Sequence, residues 1–298
     1  MNKPVMPHIS PHSYFEWKNC NHHYYLKRLS EHKAAIKKKR ERQSRAAGIG
    51  SAFDAFVKSA LDPSIDLEQY LRNEVTCLNR DTVIADASLL FEMYEETALP
   101  YLIEDNIDRI DPPIKVDFGG ELTIFGKLDA TLAGDIPMDW KVRGYWSSPK
   151  SPTPGWCRLW KKGALQSKTH KRVDDPFDKI HEKWATQLTM YKFTLGHEPG
   201  EHLEVAFDEV SIRANRASPK LSYDNVQISQ IRSHVSEDFQ VKLWEDLKLA
   251  WSRINNMDFN KPRVSSYTCK PFGSLCEAAD FCAPQQMLNH PDFEVYKV

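Results

Sequence analysis

The rhythm of apolar and polar positions changes near Pro113, and that change predicts the architecture. Ahead of it, "SPHSYFEWKNCNHHYYLKRL" sets a Ser cap, a Pro just inside and aromatics at near-helical spacing, predicting one helix from Ser10 to about Leu29 that carries Cys20. "GIGSAFDAFVKSAL" and "DASLLFEMYEETALPYLIEDN" are amphipathic at the helical period, so the first hundred or so residues read as helical. After Pro113, "IKVDFGG", "ELTIFGKLDATLAG" and "IPMDWKV" alternate, carry β-branched residues and are separated by Gly-Gly and Gly-Asp, the signals of a strand meander. "DKIHEKWATQLTMYKFTLG" then predicts a helix ending at Gly196 and "HLEVAFDEVSIRA" a strand. "SQIRSHVSEDFQVKLWEDLKLAWSRINNM" predicts a long amphipathic helix. Between Tyr145 and about Asp178 a stretch rich in Pro, Ser, Lys and Trp holds no sustained period and is expected to be an insertion, a candidate lid. The expected fold class is α/β (α+β), a central mixed β-sheet flanked by helices. One domain is expected to span the chain: a helical part at 1–110, the core sheet at 111–212, and a helix with a Cys-rich tail at 213–298.

Composition narrows the class. With 298 residues, 41% of them hydrophobic, the chain can bury a core without staples. No apolar run approaches the roughly 18 residues of a membrane span, and "MNKPVMPHISPHSYFEW" lacks the apolar centre of a secretory signal. A soluble, cytoplasmic protein with no membrane partner is expected. Six cysteines are too few for a secreted disulfide scaffold, and three crowd into "CKPFGSLCEAADFC", which favours a metal site over disulfides.

A net charge of -1 hides a segregation of sign. Residues 27–45 hold nine Lys or Arg against two Glu, and residues 141–172 hold nine with no acid. Basic surface draws polyanions through counterion release, and aromatics within it stack on unpaired bases. Lys37, Lys38, Lys39 and Arg40 in the first stretch are the candidate DNA contacts, with Trp156, Trp160, Lys161 and Lys162 in the second.

Chemistry concentrates in "GKLDATLAGDIPMDWK". Asp129 and Asp139 fall on neighbouring predicted strands in apolar surroundings, where carboxylates are costly unless a cation neutralises them. Two such acids can hold Mg²⁺ or Mn²⁺ through hard oxygen ligands and leave room for water and a phosphate oxygen. Asp139 and Lys141 alternate to one face, which sets the lysine beside the ion, able to orient an attacking water as an ammonium or to deprotonate it as a free amine. In "QLTMY", Gln187 and Tyr191 lie one helical turn apart and share a face.

These residues together resemble the PD-(D/E)XK nuclease superfamily, in its RecB-type branch. The resemblance implies a restriction-endonuclease-like core, metal ligation by Asp129, Asp139 and the main-chain carbonyl of Trp140, and catalysis by Lys141. It further implies that Gln187 and Tyr191 contact DNA and support the site. "GIGSAFDAFV" resembles the family's Gly-rich helix start, with Asp54 at the position of a metal-binding His; Asp suits a hard divalent ion. Cys20 near the start and Cys269, Cys276 and Cys282 near the end resemble the cluster-bearing AddB-like and CRISPR-associated Cas-type members, in which four thiolates hold a [4Fe–4S] cluster. Here the tail spacing has six residues in the first gap where the family has two; zinc and reduced thiols stay open as alternatives. Cys77 and Cys157 read as ordinary thiols.

The expected function is a metal-dependent DNA exonuclease of phage or bacterial recombination, repair or replication, in the bacterial cytoplasm. The chain carries no ATP-binding Gly-Lys-Ser/Thr loop, so unwinding falls to a helicase or a single-strand annealing or binding protein as partner. The alternatives are a catalytically inactive DNA-binding scaffold of the same fold and an endonuclease of the superfamily.

Overall fold

The computed structural model describes residues 6–39, 43–110, 113–144, 156–161, 164–170, 176–200, 203–212, 221, 225–258 and 276–282; for 38, 39, 144, 156–161 and 164–170 it describes the backbone alone. In chain order, α1 (Pro11–Asn19), α2 (Asn21–Arg28), α3 (Lys33–Lys39), α4 (Arg45–Leu61), α5 (Leu67–Glu74), α6 (Arg80–Thr97) and α7 (Leu99–Glu104) precede every strand. There follow β1 (Ile107–Ile110), β2 (Pro113–Asp117), β3 (Thr123–Lys127), β4 (Ala130–Leu132), β5 (Ile136–Gly144), β6 (Trp156–Lys161) and β7 (Ala164–His170). Then come α8 (Phe177–Ile180), α9 (Glu182–Thr194), β8 (Leu203–Ile212), β9 (Val226–Val235) and α10 (Glu237–Asn255). The expected class, a mixed sheet flanked by helices, is what forms.

Two compact units emerge. One gathers Met1–Glu41, Asp117–Phe125 and Leu243–Val298; the other holds Arg42–Val116 and Gly126–Lys242. In the first unit the single helix expected from Ser10 to Leu29 is two helices. Ser10 opens α1 in a reciprocal capping box with Ser13, and Cys20, in extended conformation, ends it. The Cys20 thiol then accepts the His23 N–H at 3.4 Å and caps α2. A cysteine that caps reads as an ordinary helical position in a sequence pattern, which is why the break was not visible.

The second unit is built on a sheet of order β1-β4-β5-β8-β9-β6-β7, while β2 and β3 form a separate two-stranded ribbon. β5 and β8 run parallel, and the other neighbours run antiparallel. Between β4 and β5, Gly134 (φ 80°) and Asp135 (φ 56°) turn the chain in the left-handed region that Gly and Asp tolerate, which fixes the register Ala130↔Met138. Alternation along the strands then sorts the side chains. Met138, Trp140, Ala206 and Val210 join the core built with α4 and α6, whereas Val205, Phe207 and Ile231 pack with Ala185, Leu188 and Tyr191 of α9. Trp140 is anchored by its indole N–H, which donates to the Tyr94 hydroxyl at 3.1 Å. Asp139 and Lys141 therefore leave β5 on the α9 side.

Two expectations are corrected here. Residues 229–235 belong to β9, not to the first turns of a long helix; α10 starts at Glu237. The break is chemical: Ser236 is held by Asp178, which accepts its N–H at 2.8 Å and its hydroxyl at 2.9 Å, and two acids follow in the first helical turn. Within the expected insertion, β6 and β7 pair, and β6 continues the sheet on β9. An open sheet edge supplies hydrogen-bond partners to a segment whose own residues carry little strand signal.

Candidate active site

The residues singled out in "GKLDATLAGDIPMDWK" meet in the second unit. Asp129 occupies the break between β3 and β4 rather than a strand, and Asp139 is the fourth residue of β5. β4 and β5 are neighbours, so the two carboxylates come within hydrogen-bonding reach of one another. The Trp140 N–H also points at Asp129 Oδ2, 3.4 Å away. Asp139 is 2% exposed and forms an ion pair with the Lys141 ammonium. Lys141 also donates to Gln187 Oε1 at 3.2 Å, and Gln187 Nε2 donates to the Tyr191 hydroxyl at 2.9 Å. The one-turn spacing on α9 thus becomes a chain of contacts, Tyr191 to Gln187 to Lys141 to Asp139.

Asp54 arrives from α4. That helix starts at a Ser44 cap, and the first glycine of "GIG" has a packing reason, since a Cβ on Gly48 would lie 2.9 Å from the Cys77 sulfur. Asp54 Oδ2 accepts the Tyr70 hydroxyl at 3.1 Å and meets the Lys58 ammonium at 2.8 Å. Lys58 reaches on to Asp129 Oδ1 at 3.2 Å. Sequence reading missed Lys58 and Tyr70. Lys58 did carry a signal, an acid four residues earlier on an apolar helix, but such pairs ordinarily lie in solvent; Tyr70 carried none.

Three carboxylates this close cannot all ionise freely. Burial, with the Asp129 charge adding to it, pushes the Asp54 carboxyl up to about 7 against the pull of Lys58. Burial likewise holds Asp139 well above the ordinary carboxylate range, opposed by Lys141 and reinforced by Asp129. Asp129 goes the other way: burial raises it, but its hydrogen bond with Asp139 and the Lys58 and Lys141 charges outweigh that. Burial and the two acids raise Tyr191, so its phenol stays neutral.

The Asp54 shift has a signed consequence. An unfolded Asp titrates near about 3.9, so between there and about 7 the folded chain keeps a proton that the unfolded chain has lost. This group's contribution to stability therefore falls as pH rises through that window. In chelator, the melting temperature of Asp54→Asn is expected to gain on wild type steadily from pH 4 to pH 7. A constant difference across the window would contradict the shift.

Tyr191 is held from behind by Gly126, where a Cβ would lie 2.9 Å from its ring and 3.2 Å from the Thr194 hydroxyl. Gly126→Ala is expected to cost roughly 1–3 kcal/mol in thermal or denaturant unfolding. It should also lower any activity that depends on the Gln187–Lys141 contact.

Among the described residues, no set of three or more His, Cys, Asp or Glu side chains is spaced to enclose a metal ion. At Asp54 and Asp129 the Lys58 ammonium stands between the acids. The donor set nevertheless fits a hard divalent cation. It is made of oxygens, its acids resist joint ionisation, and Asp54 Oδ1 is buried with no hydrogen-bond partner.

Of the four tail and head cysteines, Cys20, Cys276 and Cys282 are described, all in the first unit and free of disulfides; Cys269 lies outside the described residues. Cys276 and Cys282 border a small core of Leu26, Ile36 and Ala278. Burial raises the Cys276 thiol, and the nearby Cys20 adds to the shift. Glu277 bonds His23 at 3.2 Å and Lys27 at 2.9 Å, tying the C-terminal segment to α2. Of the expected DNA contacts, Lys37 is exposed on α3, whereas Arg40 and Lys162 lie outside the described residues. So do the side chains of Lys38, Lys39, Trp156, Trp160 and Lys161.

No helix among the described residues is long and apolar enough to cross a membrane. No family model and no curated protein matches the sequence. Among solved structures, the chain resembles one from Eubacterium rectale described as "Putative exonuclease", with a TM-score of 0.52, 14% identity, and coverage of 95% of this chain and 90% of that one. A far looser likeness is to SSO0001, with a TM-score of 0.28 and 15% identity over 85% of this chain and 96% of that one. At 14% identity the resemblance is one of fold: a mixed sheet flanked by helices, as in the Eubacterium rectale protein.

Proposed function

We propose that this chain is a divalent-metal-dependent deoxyribonuclease, acting as an exonuclease in phage or bacterial DNA recombination, repair or replication. The observation that carries the reading is the meeting of Asp129, Asp139 and Lys141, with Lys141 held by Gln187. Two acids that can hold a divalent ion, beside an ordered ammonium, suit in-line hydrolysis of a phosphodiester. The fold likeness to the Eubacterium rectale protein supports the same class.

Asp129, Asp139, the Trp140 carbonyl and Asp54 Oδ1 would hold Mg²⁺ or Mn²⁺. Bound there, the ion polarises the phosphoryl group and makes a water more acidic. The chain's own groups do the rest. Lys141 orients that water against phosphorus and offsets the charge that grows on the phosphoryl oxygens. Gln187 fixes the ammonium, and Tyr191, neutral at working pH, fixes Gln187. Water adds to phosphorus and releases a proton to solvent, the bond to the leaving sugar oxygen breaks, and that oxygen takes a proton from solvent.

In the same reading, Cys20, Cys269, Cys276 and Cys282 hold a [4Fe–4S] cluster, with Zn²⁺ as the other occupant a four-thiolate site accepts. Protein purified without oxygen is then expected to be brown, with about four iron and four sulfide per chain, and Cys276→Ser to lose both. Colourless protein with one zinc would assign the thiolates to zinc.

The exonuclease reading is tested by incubating the chain with end-labelled linear DNA and with closed circular DNA, in Mg²⁺ and in Mn²⁺. Mononucleotide or short-oligonucleotide release from the linear substrate alone supports it. Cutting of the circle makes the chain an endonuclease, and binding without cleavage of either makes it a scaffold.

A further inference from the structure

Lys58 differs from an ordinary helical lysine. Its side chain is 2% exposed, and lysines are almost never this buried unless paired. Its ammonium bridges two acids from separate elements, 2.8 Å from Asp54 on α4 and 3.2 Å from Asp129 at the β3–β4 break, and it donates to the Tyr70 hydroxyl at 3.3 Å. A cation held between two carboxylates, one of which would also serve a neighbouring ion, parallels the paired cations of two-metal phosphodiesterases.

Charge decides how many further ions the site can take. Once ion binding has driven the protons from Asp54 and Asp139, three carboxylates face two ammoniums, Lys58 and Lys141, an excess of one negative charge. One divalent ion turns that excess into a single positive charge, which matches the single negative charge of a phosphodiester. A second divalent ion would leave three positive charges packed in a buried site, where like charges repel strongly. We propose that Lys58 is a built-in cation that takes the place of a second divalent ion, so that the site binds one Mg²⁺ or Mn²⁺ per chain. Asp54 Oδ2 is committed to Lys58, and Oδ1, buried and without a hydrogen-bond partner, is left for the ion. The inference rests on the reading of this site as a divalent-metal nuclease.

The test counts ions independently of activity. Mn²⁺ is titrated into the full chain and free Mn²⁺ is followed by electron paramagnetic resonance, for wild type, for Lys58→Met, and for Lys58→Met with Asp54→Asn. The expected counts are one, two and one. Circular dichroism and thermal melting establish that each variant is folded. Two ions in wild type, or one ion at wild-type affinity in folded Lys58→Met, would overturn the proposal. If Lys58→Met does not fold, the wild-type count decides: one supports the built-in cation, and two overturns it. Wild type that binds no Mn²⁺ and cleaves no DNA defeats the nuclease reading itself, a failure separate from an unexpected count in a protein that does cleave.

Discussion

Lys141→Met is expected to leave the chain folded and able to bind DNA, and to lower single-turnover nucleotide release by at least about a thousandfold, roughly 4 kcal/mol of transition-state stabilisation. Methionine preserves the length and apolar stem of the side chain, so the loss is confined to the ammonium. In wild type that ammonium is shared between Asp139 and Gln187 Oε1, so its place is set by two elements, β5 and α9, before any substrate arrives. A preorganised charge is worth far more at a developing oxyanion than a mobile one, because it needs no reorganisation during the reaction. Binding survives, since affinity for the phosphate backbone is spread over many basic groups. A loss smaller than tenfold would make Lys141 a mere ion-pair partner of Asp139.

Asp139→Asn is expected to cut cleavage at least as far, while raising stability in the absence of the ion. Asp139 is 2% exposed, and its carboxyl is held well above the ordinary range by burial first and by the Asp129 charge second. Without a divalent ion, the folded state carries an acid it would be easier not to have. Asparagine keeps the shape and removes the charge. In chelator, Asp139→Asn is expected to melt several degrees above wild type, at about 2–4 °C per kcal/mol for a chain of this size. On adding Mg²⁺ wild type should gain stability, as any ligand of the folded state provides, and the variant should not. Cleavage should fall below detection. A variant that melts lower in chelator, yet responds to Mg²⁺ as wild type does, would make Asp139 structural rather than a ligand.

The acids of the site were legible because they offend their surroundings. Asp129 and Asp139 lie in runs that otherwise bury, and the alternation of β5 sends Asp139 and Lys141 the same way. Gln187 and Tyr191 were singled out by the family resemblance, the one-turn spacing alone being equally that of a packed helix face; in the structure the two side chains bond to one another. Lys58 was not legible, because Asp54 and Lys58 at four residues apart are indistinguishable from a solvated pair until the β3–β4 break brings Asp129 against them. The fold was misjudged where a local pattern and a tertiary partner disagree. Ser229 to Val235 read as the opening of α10, but the edge of β8 claims them through a ten-residue antiparallel register. Sequence reading passed over Ser236, Glu237 and Asp238, where the helix begins. The segments 156–161 and 164–170 carry few β-branched positions, and they form strands where β6 pairs with both β7 and β9.

In the proposed function, Asp129, Asp139 and Lys141 form a divalent-metal site that hydrolyses DNA. The most direct measurement is release of labelled nucleotide from linear single- and double-stranded DNA by the wild-type chain in Mg²⁺, in Mn²⁺ and in chelator, beside Asp139→Asn prepared identically. Release that requires the ion and is absent from the variant is the predicted result. Release that persists in chelator, or that Asp139→Asn retains, would contradict it.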